Sequence, residues 1–159
     1  MEQKYLEDKM HELEKIINYR FNDINLLCEA MNATKISEND HANEGLALVG
    51  DTILKFVLAD KIFTEETKIK GEITKSKEKL EKNGVLYEIF VKENWRRFAY
   101  NNDNFYDKAP GNNKVSCKKE HNPYIEAIIA AIYYDSSFDN AKHWILYFLY
   151  PLLKKYSTI

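Results

Sequence analysis

The sequence predicts an all-α fold, and three observations support this prediction. The chain of 159 residues contains only five Gly and three Pro, a composition that favours long helices over a turn-rich sheet. Apolar residues recur at helical spacing between His41 and Phe63, which indicates a long core helix. Strand-like alternation is not sustained anywhere in the sequence. With a hydrophobic content of 45%, residues 1–159 are expected to form a single globular domain with a substantial core.

Two shorter helices are predicted before this long helix. The first carries its apolar residues on one face: Leu6, Met10, Leu13, Ile16 and Ile17. Residues 19–23 interrupt the pattern, and Asp23 is expected to cap the second helix. The second helix carries a short apolar face: Leu26, Leu27, Ala30 and Met31. The polar residues 32–40 predict a loop that leads into the long helix.

A lysine-rich stretch follows the long helix. Residues 68–82 include six Lys and three Glu. One interpretation is a patch that faces phosphate groups. The alternative is a solvated helix face, because charged residues such as Lys75 and Lys79 recur at one-turn spacing. The pattern alone leaves both interpretations open, and the Asn-Gly pair at 83–84 separates this stretch from a further apolar helix.

Regular patterning is lost between residues 94 and 119, where Asn, Asp, Gly and Pro are frequent. The aromatic side chains of this segment either stack on nucleic-acid bases or pack the segment onto the core. Packing is expected, because aromatic rings are usually buried. The aromatic residues concerned are Trp95, Phe98, Tyr100, Phe105 and Tyr106. A second basic cluster ends the segment with Lys114, Lys118 and Lys119.

Residues 122–135 predict a helix that is buried on nearly every side, because Ile and Ala dominate it. Pro123 is suited to the start of this helix, and Glu126 lies in its first turn. Asp135 is expected to help end it. The last predicted helix covers residues 138–150, where Pro151 interrupts it.

Charge and composition exclude several classes of protein. The 25 acidic and 23 basic residues nearly cancel, so a polyanionic partner would have to meet local basic patches. No apolar run approaches the roughly 18 residues of a membrane span, and the first residues do not resemble a signal peptide. Cys28 and Cys117 form no metal or disulfide pattern. Free thiols in a reducing compartment, cytoplasmic or nuclear, are the expectation.

Two acidic residues occupy helices in which apolar residues are expected. Asp51 lies in the long helix and Glu126 in the buried helix near the C-terminus, and the two carboxylates would converge if these helices cross. Carboxylate oxygens in a polar pocket form the usual environment of Mg²⁺, which can activate water for attack on a phosphodiester. The alternative is that each acid caps a neighbouring helix or pairs with a Lys. Glu44 precedes Asp51 by seven residues, about 10.5 Å of helical rise, on roughly the same side.

Three motifs resemble the ribonuclease III family. Residues 43–52, NEGLALVGDT, are similar to the family's signature helix, NERLEFLGDS. Residues 19–31, YRFNDINLLCEAM, resemble its YxFxDxxLLxxAL segment, and residues 124–137, YIEAIIAAIYYDSS, resemble its second motif. The resemblance implies an all-α endonuclease domain and a homodimer with the signature helices near the interface. It also implies Mg²⁺-dependent cleavage of double-stranded RNA that leaves 3′-hydroxyl and 5′-phosphate ends.

The carry-over of the family's metal site is incomplete. The family uses four carboxylates, of which this sequence keeps Asp51 and Glu126, whereas Ala47 and Pro123 occupy the other two positions. The implied metal ligands are therefore Asp51 and Glu126, with Asn122 as a neutral amide ligand one turn before Glu126. The cofactor expected is Mg²⁺, with Mn²⁺ as a possible substitute.

Residues beyond the metal ligands also follow from the resemblance. Glu44 matches the first acid of the signature, which lies near the RNA, and is included with Asp51 and Glu126 among the catalytic candidates. The RNA-binding candidates are Asn43 and Glu44 from the signature motif, together with four lysines of the two basic clusters, which would contact the RNA backbone: Lys75, Lys79, Lys118 and Lys119. Leu48 stands where the family has an aromatic residue that docks into the partner subunit.

Two hypotheses of different class remain. The first is an atypical, active endoribonuclease specific for double-stranded RNA, supported by the retention of both Asp51 and Glu126. The second is an inactive ribonuclease III-like domain that binds double-stranded RNA or acts as a dimerisation or structural partner, supported by Ala47 and Pro123. No separate double-stranded-RNA-binding domain is expected within residues 1–159. Either the protein works without one, or the chain is a fragment.

Overall fold

A computed structural model describes residues 2–102, 104–106 and 115–158 of the chain, so Lys114 of the second basic cluster lies outside the described residues. The described part is mainly helical, which confirms the predicted fold class. The helices are α1 (Gln3–Ile17), α2 (Ile24–Met31), α3 (Glu44–Glu65), α4 (Lys70–Glu81), α5 (Asn83–Lys92), α6 (Tyr124–Asp135), α7 (Phe138–Trp144) and α8 (Tyr150–Ser157). None of the helices described is long and apolar enough to cross a membrane.

The N-terminal helices follow the sequence prediction closely. The predicted inward face of α1 is buried at Leu6, Met10 and Leu13, and the Asp23 side chain caps α2 by accepting a hydrogen bond from the backbone N–H of Asn25 at 3.0 Å. Asp135, at the end of α6, accepts hydrogen bonds from the Asp23 N–H at 2.8 Å and from other groups of the turn between α1 and α2. The end of α6 is thereby tied to the start of α2.

The segment between α2 and α3 is more ordered than the predicted loop. Two short antiparallel strands, β1 (Lys35–Ser37) and β2 (Asp40–His41), form a hairpin within it. Strands of three and two residues are too short to show a detectable alternation of apolar and polar side chains in the sequence. Farther along the chain, the aromatic side chains of the irregular segment lie mostly in the core, with Trp95, Phe98 and Phe105 almost fully buried. The packing interpretation is therefore confirmed.

Helices α3 and α6 cross at the centre of the domain. A Cβ atom added at Gly50 would lie 1.6 Å from the backbone oxygen of Glu126, so the two helices are in backbone contact there. Most of α6 is fully buried, and its small residues Ala127 and Ala130 leave room for neighbouring helices. The close approach requires glycine at position 50, because any other side chain would overlap the carbonyl of α6.

The lysine-rich stretch forms α4, of which Leu80 is the buried residue. The rest of α4 is exposed or half-buried, as a charged, solvated helix face requires. Helix α5 begins at Asn83 and buries a continuous apolar face: Val85, Leu86, Ile89 and Phe90.

The C-terminal region departs from the prediction that Pro151 ends the last helix. After α7, residues Ile145–Leu149 form a π-helical turn, and α8 then continues through Pro151 to Ser157. The N–H of Tyr150 donates to the carbonyl of Ile145, five residues earlier. The widened turn places the proline in the first turn of α8, where a backbone N–H is not needed. Burial of Leu153 and Tyr156 then holds α8 onto the domain.

Candidate active site

A cleft open to solvent lies beside the crossing of α3 and α6. Its volume is about 350 Å³, and it is hereafter called the acidic cleft. Its lining residues are Glu44, Ala47, Leu48, Asp51, Lys55, Asn83, His121, Pro123 and Glu126. The predicted convergence of Asp51 and Glu126 is therefore present, and the Gly50 contact explains it, because the residue before Asp51 touches the backbone of Glu126.

The two acids share a hydrogen bond and differ in ionisation state. Burial, the hydrogen bond to Asp51 and the charge of Asp51 together raise the pKa of Glu126 to about 8. Burial alone would raise the pKa of Asp51, but hydrogen bonds from Glu126 and Lys55 outweigh it and lower that pKa. At neutral pH a protonated Glu126 therefore donates to an ionised Asp51. Both side chains are half-buried, so solvent reaches the pair from the cleft.

Lys55 is the basic residue nearest to this acid pair. Its Nζ lies 2.5 Å from Asp51 Oδ1, one helical turn along α3. The Lys55 pKa is raised: the hydrogen bond from its ammonium to Asp51 and the charges of Glu81, Asp51 and Glu126 outweigh desolvation, which alone would lower it. The alternative in which an acid pairs with a Lys is thus realised for Asp51 alongside its contact with Glu126.

Glu44 is held by two histidines at the mouth of the acidic cleft. Its carboxylate accepts a hydrogen bond from the His41 N–H and contacts Nδ1 of His41 at 3.2 Å and Nε2 of His121. Burial would raise the Glu44 pKa, but the hydrogen bonds from His41, Asp40 and His121 lower it overall. The structure therefore places Glu44 on the rim of the cleft and secures it there.

A second ion pair lies next to the acidic cleft on α4. Lys77 Nζ is 2.7 Å from Oε1 of Glu81, and both side chains are largely buried. Oε2 of Glu81 is inaccessible and has no hydrogen-bond partner among the described residues. The charge of Glu81 acts on both Lys55 and Glu126, and that of Lys77 acts on Asp51. Charged side chains from α3, α4 and α6 thus form one electrostatic network.

The donor set fits a single divalent cation. Ala47 and Pro123 line the cleft at the positions where the sequence lacks acids, and no group of three or more His, Cys, Asp or Glu arranged to hold a metal ion occurs in the described part of the chain. Asp51 and Glu126 nevertheless present hard oxygen atoms to a solvated cleft and are held together by a shared proton. Mg²⁺ in proteins is commonly bound by one or two carboxylates, with water and phosphate oxygens completing its shell.

Two predicted site residues do not reach the acidic cleft. Asn43 is fully buried, and its Nδ2 donates to the carbonyl of Ala30 at 3.0 Å, so it ties the start of α3 to α2. Its contact with RNA stays a prediction. Asn122 is only 2% exposed, and its Oδ1 and Nδ2 have no hydrogen-bond partner among the described residues. Its side chain is not one of those that line the cleft. The role of Asn122 as a metal ligand therefore stays a prediction, and its buried amide is not among the groups that line the cleft.

Three of the predicted basic residues line depressions beside the acidic cleft. Lys79 and Lys119 line one pocket of about 320 Å³, and Lys75 lines an adjoining depression together with Lys79. The first of these is called the basic pocket, and its basic residues are Lys79, Lys82, Lys92 and Lys119. The basic pocket borders the acidic cleft, because Gly84 lines the former and the preceding Asn83 lines the latter. Lys118 is exposed but lies outside both depressions.

Three residues of the acidic cleft were missed by sequence reasoning. Lys55 follows Asp51 by four residues, a spacing that indicates an ion pair but no particular site. His121 and Asn83 lie in irregular or terminal positions, and no sequence signal distinguishes them from other polar surface residues. Asn83 links its segment to the cleft by donating from Nδ2 to the carbonyl of Glu120 at 2.7 Å.

The comparisons with known proteins agree with this arrangement of helices and cleft. The sequence model of the Ribonuclease-III-like family matches residues 34–153, which include α3, the acidic cleft and α6. The chain belongs to the ribonuclease III-like family. The predicted family resemblance is therefore confirmed, and the matched residues include two of the three motifs, those at 43–52 and 124–137.

Individual relatives extend the match over most of the chain. Ribonuclease 3 of Clostridium acetobutylicum is 32% identical over 142 residues, which cover 86% of this chain and 60% of that protein. Ribonuclease 3 of Carboxydothermus hydrogenoformans is 30% identical over 139 residues, which cover 84% of this chain and 57% of that protein. The chain thus spans less than two thirds of the length of these curated relatives. Both relatives are bacterial, so they lend no support to the nuclear alternative.

A solved structure with the same fold is that of the nuclease domain of ribonuclease III from Campylobacter jejuni. It superimposes with a TM-score of 0.69 at 27% identity and covers 92% of this chain and 97% of that domain. Structural flexibility is reported for that domain in a region involved in dimer formation. The present chain is therefore similar to a nuclease domain along nearly its whole length.

Proposed function

We propose that this domain is a ribonuclease III-type endoribonuclease that hydrolyses phosphodiester bonds in double-stranded RNA. The observation that carries the proposal is the convergence of Asp51 and Glu126 in a solvated cleft, on the two helices that match the family motifs. Their retention together is informative, because acidic side chains at a helix crossing are costly unless they are satisfied or used. Membership of the family supports the reaction class.

The proposed cofactor is one Mg²⁺ ion, with Mn²⁺ as a substitute, held by Asp51 and Glu126. When bound, such an ion supplies Lewis acidity for the scissile phosphate and lowers the pKa of a bound water molecule. Glu126 must first release the proton that it shares with Asp51. Lys55 partly neutralises Asp51 from the same helix, and Glu44 stays ionised on the rim through its contacts with the two histidines.

Recognition of the RNA duplex is proposed to depend on its backbone. Lys75, Lys79 and Lys119 lie on the surface that borders the acidic cleft, and Lys118, next to Lys119 in the sequence, is exposed. Contacts of these ammonium groups with phosphates would be independent of base sequence and sensitive to salt. Contacts with 2′-hydroxyl groups would distinguish RNA from DNA.

The domain is proposed to act as a homodimer. Leu48, Phe56 and Phe63 are 71%, 56% and 46% exposed on α3, and their spacings of eight and seven residues place them on one face of the helix. A row of exposed apolar side chains is typical of a surface that another chain covers. The same helix lines the acidic cleft, so dimerisation would place two clefts along one duplex.

The test is a cleavage assay on an RNA duplex of about 30 base pairs, with Mg²⁺ and separately with Mn²⁺. The duplex should be cut to short fragments with 5′-phosphate ends, whereas the single strands and a DNA duplex of the same sequence should stay intact. Asp51→Asn and Glu126→Gln should each abolish cleavage without loss of helical circular dichroism. Asp60→Asn is the matched control, because Asp60 lies on α3 outside the acidic cleft and pairs with Lys142.

The alternative of an inactive domain gives a different result. No cleavage with either metal at high protein concentration, together with retained duplex binding, would refute the proposed activity. Full activity in both Asp51→Asn and Glu126→Gln would instead refute the proposed site. The two failures are distinguishable, because failure of the activity is seen in the unmodified protein, whereas failure of the site is seen only in the variants.

A further inference from the structure

Lys55 projects into the acidic cleft from the same helix as Asp51. Its Nζ lies 2.5 Å from Asp51 Oδ1, and its side chain lines the cleft beside Glu126. Acids on three helices act on this ammonium: Asp51 on α3, Glu81 on α4 and Glu126 on α6. Lys55 therefore lies within the influence of acids from three helices, of which Glu126 adds negative charge once it is ionised.

The negative charge of the acidic cleft can be neutralised by fewer metal ions than the two that a two-metal nuclease site holds. Ala47 and Pro123 provide no ligand, and Glu44 is engaged by two histidines on the rim. Asp51 and Glu126 together carry two negative charges when both are ionised, which one divalent ion neutralises. A second divalent ion would meet an ammonium group, and the remaining carboxylate of the cleft lining is Glu44, which the two histidines engage.

We propose that the Lys55 ammonium is the second cation of this site and takes the charge-balancing role of a second metal ion, while Asp51 and Glu126 bind one divalent ion. The inference rests on the proposed function for its link to phosphate. In two-metal sites the second ion stabilises charge on the reacting phosphate. An ammonium group with three donors can contact a phosphate in the same way, and its charge does not depend on the metal concentration.

The plain alternative is that Lys55 forms an ordinary ion pair on a helix surface. Such pairs contribute little and are common at one-turn spacing. Lys61 provides a direct comparison, because its Nζ is 2.7 Å from Oε2 of Glu65, four residues later on the same helix. The pair formed by Lys61 lies outside the acidic cleft. Lys61→Met is therefore a matched control for Lys55→Met.

The first measurement is Mn²⁺ binding to the full chain without RNA. The electron paramagnetic resonance signal of the unbound ion reports how much Mn²⁺ remains free. The unmodified protein should bind one Mn²⁺ per chain. Lys55→Met should bind Mn²⁺ roughly fivefold more tightly, the factor expected when a partly exposed ion pair releases Asp51. Lys55→Arg should remain close to the unmodified protein, because it retains the cation, and Lys61→Met should be unchanged.

The second measurement is cleavage of duplex RNA at saturating Mn²⁺. Lys55→Met should cut more slowly in spite of its tighter metal binding, and Lys55→Arg should recover part of the rate. An unchanged Mn²⁺ affinity in Lys55→Met overturns the proposal, and so does a variant that both binds Mn²⁺ more tightly and cuts as fast or faster. If the unmodified protein does not cut, the proposed function fails, and the Mn²⁺ affinities alone then decide the inference about Lys55.

Discussion

Glu126→Gln should remove a pH dependence from the stability of the metal-free protein. Glu126 has its pKa raised to about 8 by burial and by its contact with Asp51, whereas an unfolded chain would have the ordinary value near 4.5. Between these two values the folded protein binds more protons than the unfolded chain. Stability is therefore fully present below about pH 4.5, falls as the pH rises, and levels off above about pH 8.

The size of this effect follows from the difference between the two pKa values. A rise from 4.5 to about 8 corresponds to a linked free energy of about 5 kcal/mol as an upper limit. The side chain is half-buried at an open cleft, and solvent screening reduces the value to about 2–4 kcal/mol. The Gln side chain can donate a hydrogen bond to Asp51 as protonated Glu does, but it does not titrate. Glu126→Gln should accordingly match the unmodified protein at pH 5 and exceed it at pH 8.5.

Urea unfolding followed by tryptophan fluorescence is a suitable assay, since Trp95 and Trp144 are buried. The measurements would be made with a chelator from pH 5 to pH 9 at one protein concentration. Glu65→Gln is the control, because Glu65 is exposed and lies outside the acidic cleft. Parallel stability profiles for the unmodified protein and Glu126→Gln would refute the assignment of a shared proton to the acid pair.

Other changes test the helix crossing, the metal site, the dimer and the RNA surface. Gly50→Ala should destabilise the domain by more than about 3 kcal/mol in urea unfolding, because its Cβ would overlap the Glu126 carbonyl; a smaller loss would contradict the backbone contact. Ala47→Glu should tighten Mg²⁺ binding in calorimetry, since position 47 lines the cleft, and an unchanged affinity would count against that geometry. Leu48→Glu should shift sedimentation towards the monomer, because it places a charge on the exposed apolar face of α3; an unaltered dimer would exclude this face. Lys79→Ala and Lys119→Ala should each weaken duplex binding and lower the salt-dependence slope by about one, and identical slopes would place the RNA elsewhere.

The helices and the acid pair were predictable because each depends on a strong periodic signal. The buried face of α6 and the signature segment of α3 carry apolar residues at helical spacing. One acid interrupts each of them, Asp51 in α3 and Glu126 in α6, at a position that matches an acid of the family motif. The crossing itself could be anticipated from the resemblance, and Gly50 explains it physically. These elements are determined by burial, which leaves a clear pattern in the sequence.

The features that escaped prediction depend on tertiary context. Pro151 lies within α8 because a preceding π-helical turn and the burial of Leu153 override the local preference to end a helix. Asn43 matches the signature motif, but a motif match does not tell which way a side chain points, and Asn43 is buried against Ala30. Lys55 was overlooked for a similar reason, because an ion pair at one-turn spacing is common on any helix.

The shape of the acidic cleft does not depend on acidic side chains at positions 47 and 123. The contact between Gly50 and the Glu126 carbonyl sets the distance between α3 and α6 through the packed core, and replacing a carboxylate by Ala47 on the same face leaves this contact untouched. A change of charge in the cleft therefore need not disturb the fold. With only two acids at the helix crossing, one divalent ion is enough to neutralise their charge. In our proposal the Lys55 ammonium, whose Nζ lies 2.5 Å from Asp51 Oδ1, takes the place of a second divalent ion. The same backbone contact that keeps Asp51 beside Glu126 is thus compatible with the proposed cleft of one metal ion and one lysine.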